Sequence, residues 1–486
     1  MNMLRPIQLS EVLAVQSPRL TPRPIPLISR IIGGGSVLLF VALVAQAFIR
    51  RSLGVWSVGI AYILYDTALL AFTAWKIWPL GRQPMPPPAT GDARPTLGVI
   101  IAAHDEARVI GTTIAALVAQ DDPPEHILIA DDGSGDGIGE VLARLYGLAV
   151  PPLGEIGRSV AGRTKLSWLR LPHGGKARAL NAAMVRIETD IVVTVDADTL
   201  LNSGALAAMR GAFAAEAELV AATGVLVPIC GPQPGARIFQ WFQGYEYVRN
   251  FLSRYAWMRL DSLLLISGAF AGFRREAVLA VGGFDPACLV EDYELIHRLY
   301  RHAADTGQDW RVRVVGRAVA RTDAPASTLA FLRQRRRWFG GFLQTQHWNR
   351  DMVGNRRFGH LGTAMLPVKA LDRLQPIYGL VAFAILIAVL GFGHYAIAVP
   401  ILLVMLSKIA VDLGFHLWSL GIYARWTGQA RQPIGLALLA ALIEPFTFQL
   451  LRHAGAAWGW VTFLSGRQSW GRSSRTALNS GILRVG

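Results

Sequence analysis

The sequence predicts a doubly wound α/β domain inserted between two sets of membrane-spanning helices. Three observations predict it. Of 486 residues, 52% are hydrophobic, more than an ordinary soluble chain carries. The apolar residues gather in runs near both ends, long enough to cross a hydrocarbon core of roughly 30 Å. Between them, from Thr96, short β-rich runs alternate with helical patterns, the signature of a parallel sheet covered by helices.

Residues 1–26 carry prolines and arginines and are expected to form a poorly ordered cytoplasmic leader with no cleavable signal. Residues 27–80 hold two apolar runs, Ile31–Ile49 and Leu53–Trp78, turning at Arg50 and Arg51, with Trp75 and Trp78 suited to an interface. The Pro-rich stretch 84–95 is a linker. Residues 96–330 hold the α/β domain, with strands in "LGVIIAA", "HILIADD", "KLSWLRL" and "DIVVTVDAD" and helices in "ARVIGTTIAALVAQ" and "GKARALNAAMVRIE". Residues 331–375 read as interfacial helices. Residues 376–451 hold about three spans, Ile377–Gly393, Ala396–Leu420 and Pro433–Leu451, and 452–486 an amphipathic interfacial tail. Arg82, Arg94, Arg425 and Arg431 beside the spans favour a cytoplasmic α/β domain in a multi-pass inner membrane protein; Arg50 and Arg51 pull the other way.

The formal net charge is +15, with five lysines and the remaining cations arginine, so anionic partners are expected. The two cysteines, Cys230 and Cys288, make no disulfide framework and fit a reducing compartment. A basic sheet interleaved with aromatics, a zinc knuckle and a recognition-helix module are all missing, so nucleic acid is not an expected partner.

In such sheets ligands sit beyond the carboxyl ends of the strands, and acidic clusters fall there. "ILIADDGSGDG" (127–137) ends a strand in Asp131 and Asp132 before a glycine-rich turn. It lacks the dinucleotide spacing, and Ala143 stands where a calcium loop needs a glutamate. Asp132 reads either as a turn residue or as a carboxylate taking hydrogen bonds from a nucleoside. "VDADT" (195–199) puts Asp196 and Asp198 on one side of a strand end, able to hold a hard divalent cation or to cap a helix. "HGGKARALN" (173–181) puts two glycines and Lys176 at a helix start, a phosphate-binding arrangement or an ordinary cap. Glu291 and Asp292 open the amphipathic helix 289–301; an ionised aspartate there suits a general base, and helix starts commonly carry acids. In "RQRRRWFGG" (333–341), Gln334, Arg337 and Trp338 share a helix face fit for hydroxyls, diphosphate and a sugar ring, while Arg335 and Arg336 point elsewhere; a basic helix on anionic lipid is the other reading. Lys408 and Asp412, one turn apart in a span, and Glu444 in another are buried polar groups that either line a path or pair to fix packing.

In this order, from roughly Thr96 to Trp338 and with spans on both sides, these motifs resemble the processive, membrane-embedded inverting glycosyltransferases of family 2, which include cellulose, chitin, hyaluronan and poly-N-acetylglucosamine synthases. The resemblance implies a GT-A-type nucleotide-sugar domain. It implies Asp132 on the uracil of a UDP-sugar, Lys176 on the diphosphate, and Asp196 and Asp198 on the ribose and a Mg²⁺ or Mn²⁺ ion. Asp292, beside Glu291, becomes the base that deprotonates the acceptor hydroxyl. Gln334, Arg337 and Trp338 line the acceptor and pyrophosphate site. "SGAFAGFRREAVLAVGGFD" (267–285) and "RTDAPAS" (321–327) resemble the family's acceptor-side segment and its approach to the Q-x-x-R-W helix. "AAHDE" (102–106) stands where many members have Y-N-E, so His104 and Asp105 alter the nucleotide edge, at which Ala102, His104 and Glu106 are the expected nucleotide-sugar contacts.

The function implied is polymerisation of a UDP-sugar, with UDP-N-acetylglucosamine the candidate, into a β-linked extracellular polysaccharide coupled to translocation. Its partners would be the UDP-sugar donor, the growing glycan acceptor, the bilayer and accessory secretion subunits. One alternative is a non-processive membrane enzyme adding one sugar to a lipid. Another is a non-catalytic subunit or transporter with a degenerate domain, disfavoured by the presence of Asp198, Asp292 and Gln334.

Overall fold

The structure is a computed structural model, describing residues 6–49, 52–81, 94–431 and 433–466. The expected linker lies largely, and Arg50, Arg51 and Arg82 wholly, outside the described residues.

The chain opens with α1 (Pro6–Gln16), α2 (Leu27–Ile49) and α3 (Ser57–Ile77). Residues 6–26 of the segment expected as a poorly ordered leader are packed against the rest of the chain. Leu9 and Leu13 of α1 are buried, and α1 lies so close to Gly282 that a Cβ there would meet the Leu13 backbone nitrogen at 2.3 Å. Arg19 then pairs both oxygens of the buried Asp285, at 3.0 Å each, and Arg23 pairs Asp305. Composition suggested disorder because the partners lie more than 260 residues away.

The α/β domain runs β1 (Leu97–Ala103), α4 (Ile110–Val118), β2 (His126–Asp132), α5 (Ile138–Tyr146), β3 (Ile156–Ala161), β4 (Thr164–Leu171), α6 (Lys176–Met184), β5 (Ile191–Asp196), β6 (Thr199–Leu201), α7 (Ala205–Ala215), β7 (Leu219–Ile229), α8 (Pro234–Met258), β8 (Phe270–Arg274), α9 (Arg275–Ala280), α10 (Glu291–Thr306) and β9 (Arg311–Asp323). The sheet order is β3-β4-β2-β1-β5-β8-β7-β9-β6. It is mixed, not parallel throughout. β4, β2, β1 and β5 are parallel; β1, β2 and β5 carry apolar runs buried on both faces as that requires, while β4, nearer the sheet edge, leaves Lys165 exposed. β3, β8 and β6 are antiparallel to neighbours. β8 runs antiparallel to both β5 and β7, and α8, which lies between β7 and β8 in the chain, packs on β7 and β9 and against the apolar helices.

Register positions the site. Ala102 on β1 lies beside Ala130 on β2 and Asp196 on β5, so the acidic ends of β2 and β5 reach one edge of the sheet. β8 runs antiparallel to β5, which brings Ser267–Ala269 to the same edge. Thr199 pairs with Thr322, which carries Asp323 to Asp198.

After β9 come α11 (Thr328–Trp348), α12 (Leu366–Asp372), α13 (Gln375–Gly391), α14 (Tyr395–Thr427), α15 (Ile434–Ile443) and α16 (Phe448–Leu464). Three helical stretches, 27–49, 52–81 and 395–427, are long and apolar enough to cross a bilayer; two bent pairs, 361–372 with 375–391 and 434–446 with 448–464, raise the number to five among the described residues. The span expected at 433–451 is therefore bent, by 46° at Thr447, just after a 3₁₀ turn Glu444–Phe446 in which Pro445 removes a backbone donor. Residues 452–464 are not a surface tail. They continue α16, which packs along α11; there a Cβ on Gly459 would meet the Gly340 backbone nitrogen at 2.9 Å. Of the two glycines ending "RQRRRWFGG", Gly340 thus serves helix contact, and Gly341 makes room for Val290, which a Cβ there would meet at 2.5 Å. The rest of the expected tail lies outside the described residues.

Candidate active site

The strand ends open into a cavity of about 2140 Å³ lined by Ala102, His104, Glu106, Asp132, Lys176, Asp196, Asp198, Glu291, Asp292, Gln334, Arg337 and Trp338. Every residue predicted for the site from sequence meets here.

Asp132 is buried and already engaged. Its carboxylate accepts from the backbone N–H of Gly174 at 2.7 Å and of Gly175 at 2.9 Å, and His173 Nδ1 lies 3.0 Å away. It thereby pins the turn leading to Lys176. The Asp132 carbonyl lies 2.8 Å from His104 Nδ1 and 3.1 Å from His173 Nδ1, and the two imidazoles stack with centroids 4.4 Å apart. Ligand atoms of His104, Asp132 and His173 lie within 4.8 Å of one another. His173 was not anticipated; its place before the two glycines was the available signal. Asp105 adopts φ +56°, its carboxylate accepting from Gly135 N–H at 2.9 Å, so the loop after β1 is tied to the loop after β2.

Lys176 Nζ lies 2.5 Å from Asp196 and 3.9 Å from Glu291. Burial pulls its ammonium pKa down, but Asp196, Glu291 and Asp292 outweigh burial and raise it, so it is fully charged at neutral pH. Asp198 is opposite in character. Burial, with Asp196 and Asp323 beside it, pushes its carboxyl up to about 8. Such a group is ionised at neutral pH only with a further positive charge at hand. A crowded set of hard oxygen donors of this kind fits Mg²⁺ or Mn²⁺. Asp323 was quoted within "RTDAPAS", but only the β6–β9 pairing shows that it faces Asp198.

Asp292 stands at the first turn of α10, where the helix dipole favours negative charge. Its Oδ2 accepts from Gly268 N–H at 2.7 Å and its Oδ1 from Tyr293 N–H at 2.8 Å. A Cβ on Gly268 would sit 2.9 Å from that Oδ2, so glycine is what lets this backbone reach it. Glu291 is buried alongside; burial raises its carboxyl pKa, Lys176 opposes that and Asp292 adds to it.

The arginines of "RQRRRWFGG" divide by face. Arg335 makes a bidentate pair with the buried Glu246 of α8, at 2.7 and 2.9 Å, and stacks over Phe331 and Trp338. Arg336 lies over the Trp458 ring of α16, 4.8 Å from its centroid. Arg337 faces the site, where its charge acts on Glu291. The Gln334 side-chain oxygen is shielded from solvent and accepts no hydrogen bond.

From there the cavity continues between the apolar helices. It is lined by Tyr62 and Asp66 of α3, Lys408 and Asp412 of α14, and Gln449, Arg452 and His453 of α16. Lys408 pairs with Asp66 at 2.6 Å and Asp412 at 2.5 Å, Arg249 of α8 stands 3.6 and 3.5 Å from the same carboxylates, and Arg452 pairs with Glu444.

Residues 98–282 match the model of glycosyl transferase family 2, and residues 191–406 that of glycosyl transferase family group 2. A β-monoglucosyldiacylglycerol synthase of Synechocystis is 27% identical over 309 residues, 60% of this chain and 57% of the relative. A poly-β-1,6-N-acetyl-D-glucosamine synthase of Staphylococcus epidermidis is 23% identical, covering 50% of this chain and 54% of its own length. The chain spans little more than half the length of such relatives. A mannosyltransferase of Pyrobaculum calidifontis, solved with GDP-Man and Mn²⁺, superimposes with a TM-score of 0.53 at 20% identity over 81% of this chain and 99% of that one, which supports the GT-A-like fold. The strand-end carboxylates and the matched residues from β1 into α14 agree: the chain carries a glycosyltransferase domain of family 2.

Proposed function

We propose that the chain is an inverting, processive glycosyltransferase that polymerises a UDP-sugar and passes the product into the bilayer through its own spans, with the catalytic domain on the cytoplasmic side. The observation that carries this is continuity: one cavity joins the strand-end carboxylates, Asp292 and the Gln334–Trp338 face to polar groups between the apolar helices.

In this reading the nucleotide lies against the 102–106 and 132–136 loops. Lys176 and Arg337 hold the diphosphate by charge-assisted bonds. Asp196 and Asp198 would hold a Mg²⁺ or Mn²⁺ ion, which supplies charge neutralisation to the departing diphosphate. Asp292, held by the Gly268 and Tyr293 amides, takes the proton of the acceptor hydroxyl. The hydroxyl oxygen attacks the anomeric carbon from the face opposite the diphosphate, the C–O bond to UDP breaks, and the configuration inverts. Trp338 offers a flat face to the acceptor ring.

A second reading, transfer of one sugar to a lipid, is favoured by a groove of about 310 Å³ between α3 and α14, lined by Ile63, Thr67, Leu403, Val404, Ser407, Lys408 and Val411. Ile63 and Lys408 also line the main cavity, so an acyl chain in that groove lies next to it. Purified protein in nanodiscs with Mg²⁺ or Mn²⁺, given a panel of radiolabelled UDP-sugars beside Asp292→Asn, separates the readings. Long polymer from one donor, lost in the variant, supports the synthase and names the sugar. A single sugar on extracted lipid replaces it with the second reading, and no transfer with any donor rejects both for the isolated chain.

A further inference from the structure

Six cations of the cavity are paired, while Arg254, like Arg336 over the Trp458 ring, has no carboxylate partner among the described residues. Lys176, Arg249, Arg335, Lys369, Lys408 and Arg452 each have a carboxylate within ion-pair distance. Arg254 lines the same cavity, yet its Nε and Nη1 are shielded from solvent and make no hydrogen bond, and it has no ion pair among the described residues. Its guanidinium stacks over Phe251, 4.4 Å from the ring centroid, which compensates only part of the charge. Burial lowers its pKa to about 10, so the charge persists at neutral pH. A shielded guanidinium without a counter-ion is costly unless a ligand supplies the anion.

Its position says which ligand. Glu246, Arg249 and Arg254 of α8 all line the cavity. Glu246 meets Arg335, and Arg249 meets Asp66 and Asp412 of the apolar helices. Arg254, eight residues beyond Glu246 and so about 12 Å further along the helix, reaches the level of Asp292, the carboxylate whose charge it feels. The groups facing a donor diphosphate stand elsewhere, Lys176 at the start of α6 and Asp196 and Asp198 at the end of β5.

We propose that Arg254 forms an anion subsite on the acceptor side of Asp292, so that the acceptor carries a phosphate or a carboxylate near the hydroxyl it offers. This rests on Asp292 being the base of the transferase. The anion has two sources, a lipid headgroup phosphate or a carboxylate on the glycan.

The test uses the full chain in phosphatidylcholine nanodiscs, saturated with UDP and Mg²⁺ to fill the donor side, and titrated with glycerol 1-phosphate or glucuronate, with glycerol and glucose as neutral controls. The wild type is expected to bind one oxyanion and neither control. Phosphate preference indicates a headgroup and carboxylate preference a glycan. Arg254→Gln is expected to weaken that binding about 10- to 100-fold, the worth of a charged hydrogen bond, with Arg254→Lys recovering part and UDP binding unchanged in both. Competition between oxyanion and UDP, loss of UDP binding in Arg254→Gln, equal oxyanion binding by Arg254→Gln and wild type, or no binding of either probe by the wild type each overturns the subsite. Failure of UDP to bind the wild type sinks the nucleotide-sugar reading instead, and the oxyanion titration then still reports on Arg254 by itself.

Discussion

At the strand end of the cavity, Asp196, Asp198, Asp323, Glu291 and Asp292 crowd around Lys176 and Arg337. At the span end, Asp66, Asp412, Glu246 and Glu444 face Lys408, Arg249, Arg335 and Arg452, anion for cation. The residue types are nearly the same and the charge balance is not. A region whose charges neutralise one another holds helices together. A region left with surplus carboxylates is held ready for ligands, at a cost in stability.

The sharpest way to break that contrast is substitution at the strand end. Asp292→Asn should lower kcat by about 10²- to 10⁴-fold, the usual worth of a general base, while UDP binding stays. Asp198→Asn should also abolish transfer. It should nevertheless raise the thermal midpoint measured in EDTA, because it removes one of the crowded charges from beside Asp196 and Asp323. A lower midpoint in EDTA would mean that the carboxylate is a structural group.

The span end should answer in the opposite sense. Glu246→Ala leaves Arg335 without its buried partner, while Arg452 keeps Glu444, and should cost about 3–5 kcal/mol in detergent unfolding. Glu246→Leu with Arg335→Leu should recover much of that. Lys408→Met with Asp412→Asn removes one charge of each sign and keeps Arg249 beside Asp66. A paired network predicts a stability change within about 1 kcal/mol and an unchanged transfer rate. Polymer made at the normal rate but absent from the lumen of inverted vesicles would show instead that this end carries the product.

The chemistry at strand ends was legible because it is local. Asp132, Lys176, Asp196, Asp198, Asp292 and Gln334 sit in short motifs whose spacing carries their geometry, and the structure gathers all of them. What was not legible depends on distant partners. Asp323 reaches Asp198 only through the β6–β9 pairing, and Arg335 finds Glu246 from 89 residues away. The mixed sheet was missed for the same reason: β8 takes its direction from the strands it pairs with, β5 and β7, and periodicity does not record that. The bend at Thr447 follows Pro445, a residue the sequence shows inside an apolar run that reads as one span.

The N-terminal segment offers the finest comparison, two arginine–aspartate pairs four residues apart in the chain. Asp285 is fully buried and receives Arg19 on both oxygens, with one of them also taking the Ala287 amide at 2.9 Å. Asp305 is partly exposed, pairs with Arg23, and has Arg357 at 2.8 Å as a second partner. Arg19→Ala strands a buried carboxylate with one remaining amide and should cost about 1–3 kcal/mol. Arg23→Ala leaves Asp305 solvated and still paired with Arg357, so its cost should stay below about 1 kcal/mol. The difference should show as unequal exposure to protease at α1, with Arg19→Ala releasing the segment first. Equal release by both variants would mean that the segment is held by Leu9 and Leu13 against Gly282 and Gly283, with the arginine pairs adding little.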